Sequence, residues 1–460
     1  MSSECQRDCA TLDRSIFHCD CNGFFASVEC LDHPAYWDVP MAVAGDPKDR
    51  SGIILAKNEL AKQYGVITTE TIYAAKQKCP QLVLVPPRHW RYMEISRQVN
   101  SIYLQYTDQV EPFGIDESFL DVTGSLSYFR ATAHALADRI REQVKREVGI
   151  TISVGASFNK TFAKLGSDMK KPDATTEITR ENFQTLVWSL PIRDMLFIGK
   201  ASVQMLHKNF INTIGDLARK PKADAVRLLG KGGEALWNNA NGLDHDPVRP
   251  YGEREPVKSV GNGMTFRRDL HHEDEIRQGV IALSDEVAVR LREHGVKART
   301  LQVNIKNPAL KTISRQMPLS IPTHLHKELA DAAMAIIRAN WRIQPNGECA
   351  PIRALTITGQ NLVKDSDAAE QMSLFDLAGE RKPSLQHAKW EKLETAVLQL
   401  REKHGSNSIS MGYVDNEELG IRQFGKHGGQ PKEDADNKPR SGELPREHHA
   451  RNQSNDPKQF

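Results

Sequence analysis

The chain has 460 residues, of which 39% are hydrophobic and 26% are charged, and its 61 basic residues nearly balance its 59 acidic ones. This length is too great for one ordinary core and predicts about three or four domains. The balanced charge excludes a uniformly basic nucleic-acid-binding protein, so any DNA-binding surface has to come from segregated charge.

The composition predicts a cytoplasmic protein with reduced thiols. No apolar run reaches the length of about 18 residues that a membrane span needs. The first residues, MSSECQRDCATLD, lack the basic start and apolar stretch of a secretory signal. The seven cysteines are an odd number without framework spacings. Zinc binding by Cys5, Cys9, Cys19 and Cys21 is disfavoured, because their spacing matches no common closed ligand set.

The first 180 residues show the element order of a split βαβ, ferredoxin-like domain. The order is β, α, β, β, α, β, with an insertion of about sixty residues after the first strand. The predicted elements are a strand at 15–20, a helix at 91–106, two strands around a bend within 109–125, a helix at 131–148 and a strand at 151–158.

The sequence of residues 182–362 predicts two further folded segments. Residues 182–244 have a mostly helical pattern, and a polar, proline-containing linker follows them. An α/β unit at 257–362 is predicted to have helices at about 273–294 and 325–342.

The C-terminal region is predicted to contain one helix and a long disordered segment. The helix, within 384–405, places Leu385, Leu393, Val397 and Leu400 on one side. Residues 417–460 have too few apolar side chains to offset the entropy of ordering the chain.

Three carboxylates that are distant in sequence are predicted to converge. Asp20 ends the first strand, and Asp116 and Glu117 lie at the bend between the next two. In a ferredoxin-like sheet the first and third strands are neighbours, so the bend lies near the carboxyl end of the first strand. Divalent cations relieve the repulsion between such carboxylates, and Mg²⁺ prefers hard oxygen ligands. On these residues alone, a solvated turn and a helix cap remain open alternatives.

Two longer stretches make the pattern specific. HCDCNGFFASVE and GIDESFLDVT resemble the two signature motifs of the Y-family DNA polymerases, the translesion enzymes. Within that family the chain most resembles the bacterial DNA polymerase IV-like branch. The resemblance covers residues 15–365 and implies an α+β multidomain fold, a right-hand polymerase with a ferredoxin-like palm. The implied parts are a palm at 14–22 and 85–180, small fingers at 23–84, a helix-hairpin-helix-like thumb at 181–245, a linker at 246–256, an α/β little finger at 257–365, a linker with a clamp-binding motif at 366–382, a helix at 383–405 and a disordered tail at 406–460.

The resemblance assigns the carboxylates to two Mg²⁺ ions. Asp20, Asp116 and Glu117 would be the ligands, and the Cys21 backbone carbonyl would complete one shell. The family usually has an aspartate where this chain has Asn22, which implies altered polarity near the metal with retained activity.

The resemblance also assigns the contacts to the incoming deoxynucleotide. Phe24 would pack beneath it, and Phe25 would be the steric gate that excludes a 2′-hydroxyl. Lys171 would reach the β- and γ-phosphates, whereas Lys160 and Lys164 would support the palm. The fingers segment KNELAKQYGV departs from the family pattern, because Glu59 and Lys62 stand where Tyr and Arg are frequent. Lys62 keeps the charge without the bidentate fork of arginine, and Lys57 is a candidate substitute.

DNA and clamp contacts follow from three more segments. In the thumb, LFIGKAS has Phe197 in place of one glycine of the helix-hairpin-helix. Candidates for contacts with the DNA backbone are Lys258, Arg267, Arg268 and Arg315. QMSLF resembles a sliding-clamp-binding peptide, with Gln371 supplying amide hydrogen bonds and Leu374 and Phe375 filling an apolar pocket.

Together these features predict a monomeric, template-directed, low-fidelity DNA polymerase that extends primers with dNTPs across damaged template. Two alternatives stay open at this point. One is a catalytically inactive family relative that acts as a clamp-bound adaptor, and the other is a different ferredoxin-like two-metal enzyme such as a nucleotide cyclase.

Overall fold

The computed structural model describes residues 13–47, 49–50, 52–253, 255–366, 385–405, 408–409 and 416–421. Among the described helices, none combines the length and the apolar composition that a membrane crossing requires. The predicted clamp-binding residues Gln371, Leu374 and Phe375 lie outside the described residues.

The secondary structure of the described residues follows the predicted order of strands and helices. The strands are β1 Ile16–Cys21, β2 Met41–Ala44, β3 Ile54–Lys57, β4 Val83–Val85, β5 Val110–Pro112, β6 Glu117–Asp121, β7 Ile152–Ser157, β8 Thr175–Ile178, β9 Ser259–His272, β10 Val296–Lys306, β11 Thr312–Thr323 and β12 Glu348–Lys364. The helices are α1 Phe24–Asp32, α2 Glu59–Gln63, α3 Ile72–Lys78, α4 His89–Tyr103, α5 Ser125–Phe129, α6 Ala133–Val148, α7 Lys160–Met169, α8 Phe183–Val187, α9 Lys200–Lys208, α10 Ile214–Ala218, α11 Lys222–Leu229, α12 Lys231–Ala240, α13 Glu273–Glu293, α14 His326–Asn340 and α15 Leu385–His404, with short 3₁₀ turns at Pro34–Trp37 and Ile192–Asp194.

A five-stranded sheet in the order β5-β6-β1-β7-β8 carries the first part of the chain. Strand β1 lies between β6 and β7 and is antiparallel to both, so the predicted pairing of the first and third strands of the ferredoxin-like unit is confirmed. All six residues of β1 are buried, which explains its apolar run. Because side chains alternate along a strand, Phe17 and Cys19 pack with α4 and α6, whereas the side chains of His18 and Asp20 face α7.

Helix α7 packs unusually close to this sheet. A Cβ atom on Gly155 of β7 would overlap the backbone of α7 at Ala163 and Ser167, so glycine is needed for this approach. The close packing brings the polar side of α7 to the carboxyl end of β1, where Lys164 contacts Asp20.

The insertion after β1 forms a small three-stranded sheet in the order β3-β2-β4, with α2 and α3 beside it. The predicted helical region after residue 182 is confirmed as α8 to α12. At the predicted turn there, Phe197 adopts a left-handed backbone with φ 61°, and α9 begins after Gly199. Phe197, an aromatic residue, therefore adopts a backbone conformation that glycine adopts at lower cost.

The second large sheet, in the order β11-β10-β12-β9, packs against α13 and α14 in one core. These two helices match the predicted ones at about 273–294 and 325–342. Residues 246–256 contain no helix or strand among those described, as expected of a linker, although Arg249 is paired with Glu111.

Helix α15 docks on this unit by ion pairs, and its predicted apolar side is confirmed only in part. Val397 is buried, whereas Leu393 and Leu400 are 49% and 41% exposed. The buried side chains of the helix include Glu394, which pairs with Arg292, and Arg401, which pairs with Asp285. Polar residues that find buried partners therefore determine which face of α15 is inward.

Part of the predicted disordered tail at 406–460 is ordered. Residues 416–421 form a tight turn in which Leu419 and Ile421 are fully buried in the core of the second sheet. The backbone N–H of Arg267 donates to the carbonyl of Leu419, which adds the turn to the edge strand β9. The prediction of disorder is wrong for this turn, because the burial of two apolar side chains stabilises it although the neighbouring sequence is polar.

Candidate active site

The structure brings the three predicted carboxylates to one end of the five-stranded sheet. Asp20 at the end of β1 is paired in register with Glu117 at the start of β6. The backbone N–H of Cys21 donates to the carbonyl of Asp116 at 3.0 Å, which closes the bend onto β1. Asp20, Asp116 and Glu117 line one open cleft with a volume of about 390 Å³.

The same cleft contains the residues predicted to hold a nucleotide. Its lining combines the carboxylates with aromatic, basic and small residues from the insertion and from the segment after α7. These residues include Cys21, Asn22, Phe24, Phe25, Lys57, Glu59, Lys62, Lys171 and Pro172. A concave site with convergent charges and apolar walls is typical of a ligand-binding site.

The neighbouring charges shift the pKa values of Asp116 and Glu117 in opposite directions. Burial, together with the charges of Asp20 and Glu117, raises the pKa of Asp116 to about 6. The imidazole of His18 and then the ammonium of Lys164 hold the pKa of Glu117 below its ordinary value. A raised carboxyl pKa of this kind is typical of an acidic group crowded by other acidic groups.

Two charged contacts at the carboxylates were not predicted. Nζ of Lys164 lies 3.1 Å from Oδ2 of Asp20 and 2.9 Å from Oε1 of Glu117, although the sequence suggested only structural support for this lysine. Nζ of Lys171 lies 2.8 Å from Oδ2 of Asp20, and charge attraction keeps the pKa of Lys171 above its ordinary value although burial opposes it. The missed signal is strand alternation, because Asp20 points to the side where α7 packs.

His18 is a further residue that the sequence reasoning missed. Its side chain is fully buried, and its Nδ1 is 2.8 Å from the hydroxyl of Ser167 on α7. Its Nε2 lies 3.5 Å from Oε2 of Glu117. The spacing of two residues from Asp20 on a buried strand was the available signal, since both side chains then share one face.

The two phenylalanines after β1 occupy different environments. Phe24 is buried and packs in the core below the sheet. Phe25 is half-buried, lines the cleft and stacks on Tyr92 with ring centroids 4.2 Å apart. Phe25 is therefore the more exposed of the two phenylalanines that line the cleft.

Asn22 links the cleft to the segment that carries Lys171. Its side-chain amide donates to Ser153 at 2.9 Å, and its side-chain oxygen accepts from the backbone N–H of Asp173 at 2.9 Å. The asparagine therefore fixes the loop after α7 against β7.

The lysines from the insertion are less directed at the carboxylates. Lys62 pairs with Glu59 at 3.2 Å, and both side chains are more than half exposed, so this pair contributes little to stability. Lys57 is 3.2 Å from the hydroxyl of Thr68. Burial, and then the charge of Lys62, lowers the pKa of Lys57 below its ordinary value.

The predicted DNA contacts lie on the second sheet and its flanks. Lys258 is 85% exposed, and Arg315 is also exposed. Arg267 is different, because its guanidinium binds Asp49 at 2.7 Å and the carbonyl of Glu417. Arg268 pairs with Glu275.

The chemistry of the donor set fits a divalent cation. Three carboxylates and the backbone of Cys21 present hard oxygen atoms in one cleft. Within the described residues, however, no three His, Cys, Asp or Glu side chains are already gathered around a single point. Two of the carboxylates are instead directed at the ammonium of Lys164. Cys19 and Cys21 are buried free thiols in β1.

Comparison with known proteins identifies relatives over most of the chain. Residues 19–168 match the impB/mucB/samB family, and residues 257–374 match the C-terminal domain of that family. DNA polymerase IV of Acetivibrio thermocellus is 44% identical over 403 residues, which are 88% of this chain and 98% of the relative. DNA polymerase IV of Bacillus velezensis is 36% identical over 88% of this chain and 94% of the relative, and DNA polymerase IV 1 of Bacillus subtilis is 35% identical over 87% and 92%.

The fold has a counterpart among solved structures. A chimeric protein named Y-family DNA polymerase chimera Dbh-Dpo4(243-245)-Dbh superposes with a TM-score of 0.65 over 76% of this chain and 99% of the chimera. The sequence identity is 21%, so this match supports the architecture.

Proposed function

Because this chain belongs to the impB/mucB/samB family of Y-family DNA polymerases, we propose that its cleft adds deoxynucleotides to a primer end opposite damaged template DNA. The chain has the α+β right-hand architecture of these enzymes, and it is a DNA polymerase that binds DNA and dNTPs. The observation that carries the assignment to this cleft is the convergence of Asp20, Asp116 and Glu117 at its floor.

Polymerases of this family depend on divalent metal ions, and we assign two Mg²⁺ ions to this cleft. Asp20, Asp116, Glu117 and the carbonyl of Cys21 would hold them. The chemistry that such ions would supply when bound is activation of the primer 3′-hydroxyl and neutralisation of charge on the leaving pyrophosphate. The protein holds the carboxylates in place, with Glu117 fixed between His18 and Lys164.

The walls of the cleft would select and orient the nucleotide. Phe25 presents its ring where the sugar would lie, so a 2′-hydroxyl would collide with it, and Phe24 supports it from the core. Lys171 is the cation best placed for the triphosphate, since its ammonium already lies at Asp20. Lys57 and Lys62 also line the cleft and would contact the phosphates from the fingers.

The domains follow from the architecture. The five-stranded sheet would be the palm (14–22 and 85–180), and the small sheet of residues 23–84 would be the fingers. The helical segment 181–245 would be the thumb, and the second sheet of 257–365 would be the little finger. Lys258 and Arg315 are exposed for contacts with the DNA backbone.

Contacts by Arg267 and Arg268 would require rearrangement. Arg267 would have to leave Asp49, and Arg268 would have to leave Glu275. These two arginines would therefore bind DNA only if DNA phosphates displace the carboxylates that now pair with them.

Recruitment would depend on the QMSLF peptide. We assign Gln371, Leu374 and Phe375 to the sliding clamp (the β subunit), with a monomeric, cytoplasmic enzyme tethered near the primer end. Replacing Leu374 and Phe375 with alanine should abolish co-elution with the clamp and leave extension of short primers by the free enzyme unchanged. Unchanged co-elution would remove this assignment.

The inactive-adaptor alternative is not favoured, because all three carboxylates are present and converge. Primer extension on undamaged and damaged templates tests the choice, with dNTPs and Mg²⁺ supplied. Asp116→Asn should lower extension by about 10²–10³-fold or more, because it removes a carboxylate from the metal site. Asp121→Asn is the matched control, since Asp121 is at the far end of the strand β6 that follows Asp116, lies outside the cleft and should retain activity. Equal extension by wild type and Asp116→Asn would overturn the proposal, and synthesis without template would favour the cyclase-like class.

A further inference from the structure

Four charged side chains form a closed ring beside the cleft. Lys164 contacts Asp20 at 3.1 Å and Asp168 at 3.5 Å. Lys171 contacts the same two aspartates, each at 2.8 Å. Asp20 and Lys164 are 8% and 14% exposed, whereas Asp168 is 50% exposed. Asp168 is therefore the acceptor at the solvent side of the ring.

The position of Lys164 conflicts with metal binding by the same carboxylates. Its ammonium lies 3.1 Å from Asp20 and 2.9 Å from Glu117, so it is shared between two proposed metal ligands. Mg²⁺ binds oxygen at about 2.0–2.1 Å and repels a neighbouring cation. A metal ion that gathers these oxygens therefore has to displace the ammonium.

Helix geometry provides a place for the displaced ammonium. Asp168 is four residues after Lys164 on α7, the spacing at which side chains on one helix face meet. The movement needs a change in the lysine side chain only, since Asp168 Oδ2 already lies 3.5 Å from Nζ. Neither Lys164 nor Asp168 lines the cleft, so the displaced ammonium would stay outside the space where the nucleotide binds.

We propose that Lys164 is an exchangeable counter-ion of the metal site and that Asp168 receives its ammonium when a divalent cation binds. Both act as positioning residues: Lys164 keeps Asp20 and Glu117 directed at one point, and Asp168 lowers the cost of releasing them. The inference rests on the proposed assignment of Asp20 and Glu117 as metal ligands.

The neighbouring lysine on the same helix supplies a matched control. Lys160 is one turn before Lys164 and pairs with Glu111, which is outside the cleft. Lys160→Met therefore removes a charge of the same kind from the same helix without touching the proposed metal ligands.

The test measures Mn²⁺ binding to the full chain without DNA or nucleotide, from the free-ion signal in electron paramagnetic resonance. Lys164→Met should tighten Mn²⁺ binding about tenfold, because the competing ammonium is gone. Asp168→Asn should weaken it about threefold, because the ammonium loses its second partner. In the double variant the effect of Asp168→Asn should vanish, since that effect acts through Lys164. Lys164→Arg should stay close to wild type, and Lys160→Met should match wild type.

The outcomes separate the inference from the metal assignment. If Asp20→Asn leaves the Mn²⁺ affinity unchanged, the metal assignment fails and the inference falls with it. If Asp20→Asn weakens binding but Lys164→Met does not tighten it, the counter-ion role alone is wrong. Circular dichroism and thermal unfolding check the fold of each variant. If Lys164→Met does not fold, the Asp168→Asn variant tests the proposal instead. An Mn²⁺ affinity of Asp168→Asn equal to that of wild type then overturns the proposal.

Discussion

Phe25 lies flat against Tyr92, with ring centroids 4.2 Å apart and ring planes inclined by 12°. The hydroxyl of Tyr92 donates to Glu29 at 2.6 Å, and Arg88 binds the same carboxylate at 2.7 Å. The ring at the cleft wall thus packs on a tyrosine that is itself fixed by the buried carboxylate of a partly buried ion pair. Its orientation depends on α4 as well as on its own helix α1.

Removal of the Phe25 ring should admit ribonucleotides. In Phe25→Ala the space beside the sugar opens, so discrimination between dNTP and rNTP should fall at least about tenfold, mainly through rNTP incorporation. Single-nucleotide insertion kinetics, compared as kcat/KM for a matched pair of dNTP and rNTP, measure this ratio. Tyr128→Ala serves as the control, because Tyr128 is 82% exposed and outside the cleft. An unchanged ratio in Phe25→Ala would remove the gate assignment.

Loss of the supporting tyrosine should have a smaller effect of the same kind. Tyr92→Leu keeps apolar volume but removes the stacked ring and the hydrogen bond to Glu29, so Phe25 gains freedom to move aside. We expect discrimination to fall by about threefold, less than in Phe25→Ala. The same insertion assay applies, with Tyr92→Phe as the variant that retains the stack. A larger loss in Tyr92→Leu than in Phe25→Ala would contradict the supporting role.

The meeting of Asp20 with the Asp116–Glu117 bend was predictable, because it follows from strand order alone. A β-sheet of this topology pairs its first and third strands whatever the detailed packing. The contact of Lys164 with these carboxylates was not predictable in the same way. It depends on how closely α7 approaches β7, which the absence of a side chain at Gly155 permits.

The docking of α15 shows where a hydrophobic pattern fails. Apolar spacing placed Leu393, Val397 and Leu400 on one side, yet only Val397 of these three is buried. The inward face is set by Glu394 and Arg401, seven residues apart, whose partners Arg292 and Asp285 lie on α13. Sequence patterns score burial by hydrophobicity, so they miss a face that is buried through paired charges.

Removal of one partner of the Arg401–Asp285 pair should strongly destabilise the docking of α15. Both side chains are buried, at 7% and 3% exposed, and they share two hydrogen bonds. Arg401→Met leaves a buried carboxylate without its partner and should cost about 3–5 kcal/mol of docking free energy. Hydrogen exchange of the α15 amides reports this as lost protection.

Two further variants check the origin of that loss. Asp285→Leu combined with Arg401→Met removes both charges and should recover much of the protection, since no unpaired charge remains. Leu400→Ala, on the exposed face next to Arg401, should leave protection nearly unchanged. Equal loss in the single and the double variant would show that the ion pair itself, and not the stranded charge, stabilises the helix.

The docking of α15 should also weaken in acid through Glu394. Burial alone would raise the pKa of this carboxyl, but the hydrogen bond with His326 and the charge of Arg292 hold it below its ordinary value of 4.5. The docked helix then binds the proton more weakly than the undocked one, so the stabilisation is complete above pH 4.5 and is lost as the pH falls further. After correction for intrinsic exchange rates, protection of α15 should be constant from about pH 8 to 5 and should decrease below about pH 4. Glu394→Gln should reduce protection at neutral pH and abolish this decrease, whereas Glu402→Gln, at an exposed position of the same helix, should behave as wild type. A decrease that persists in Glu394→Gln would assign the acid sensitivity to another group.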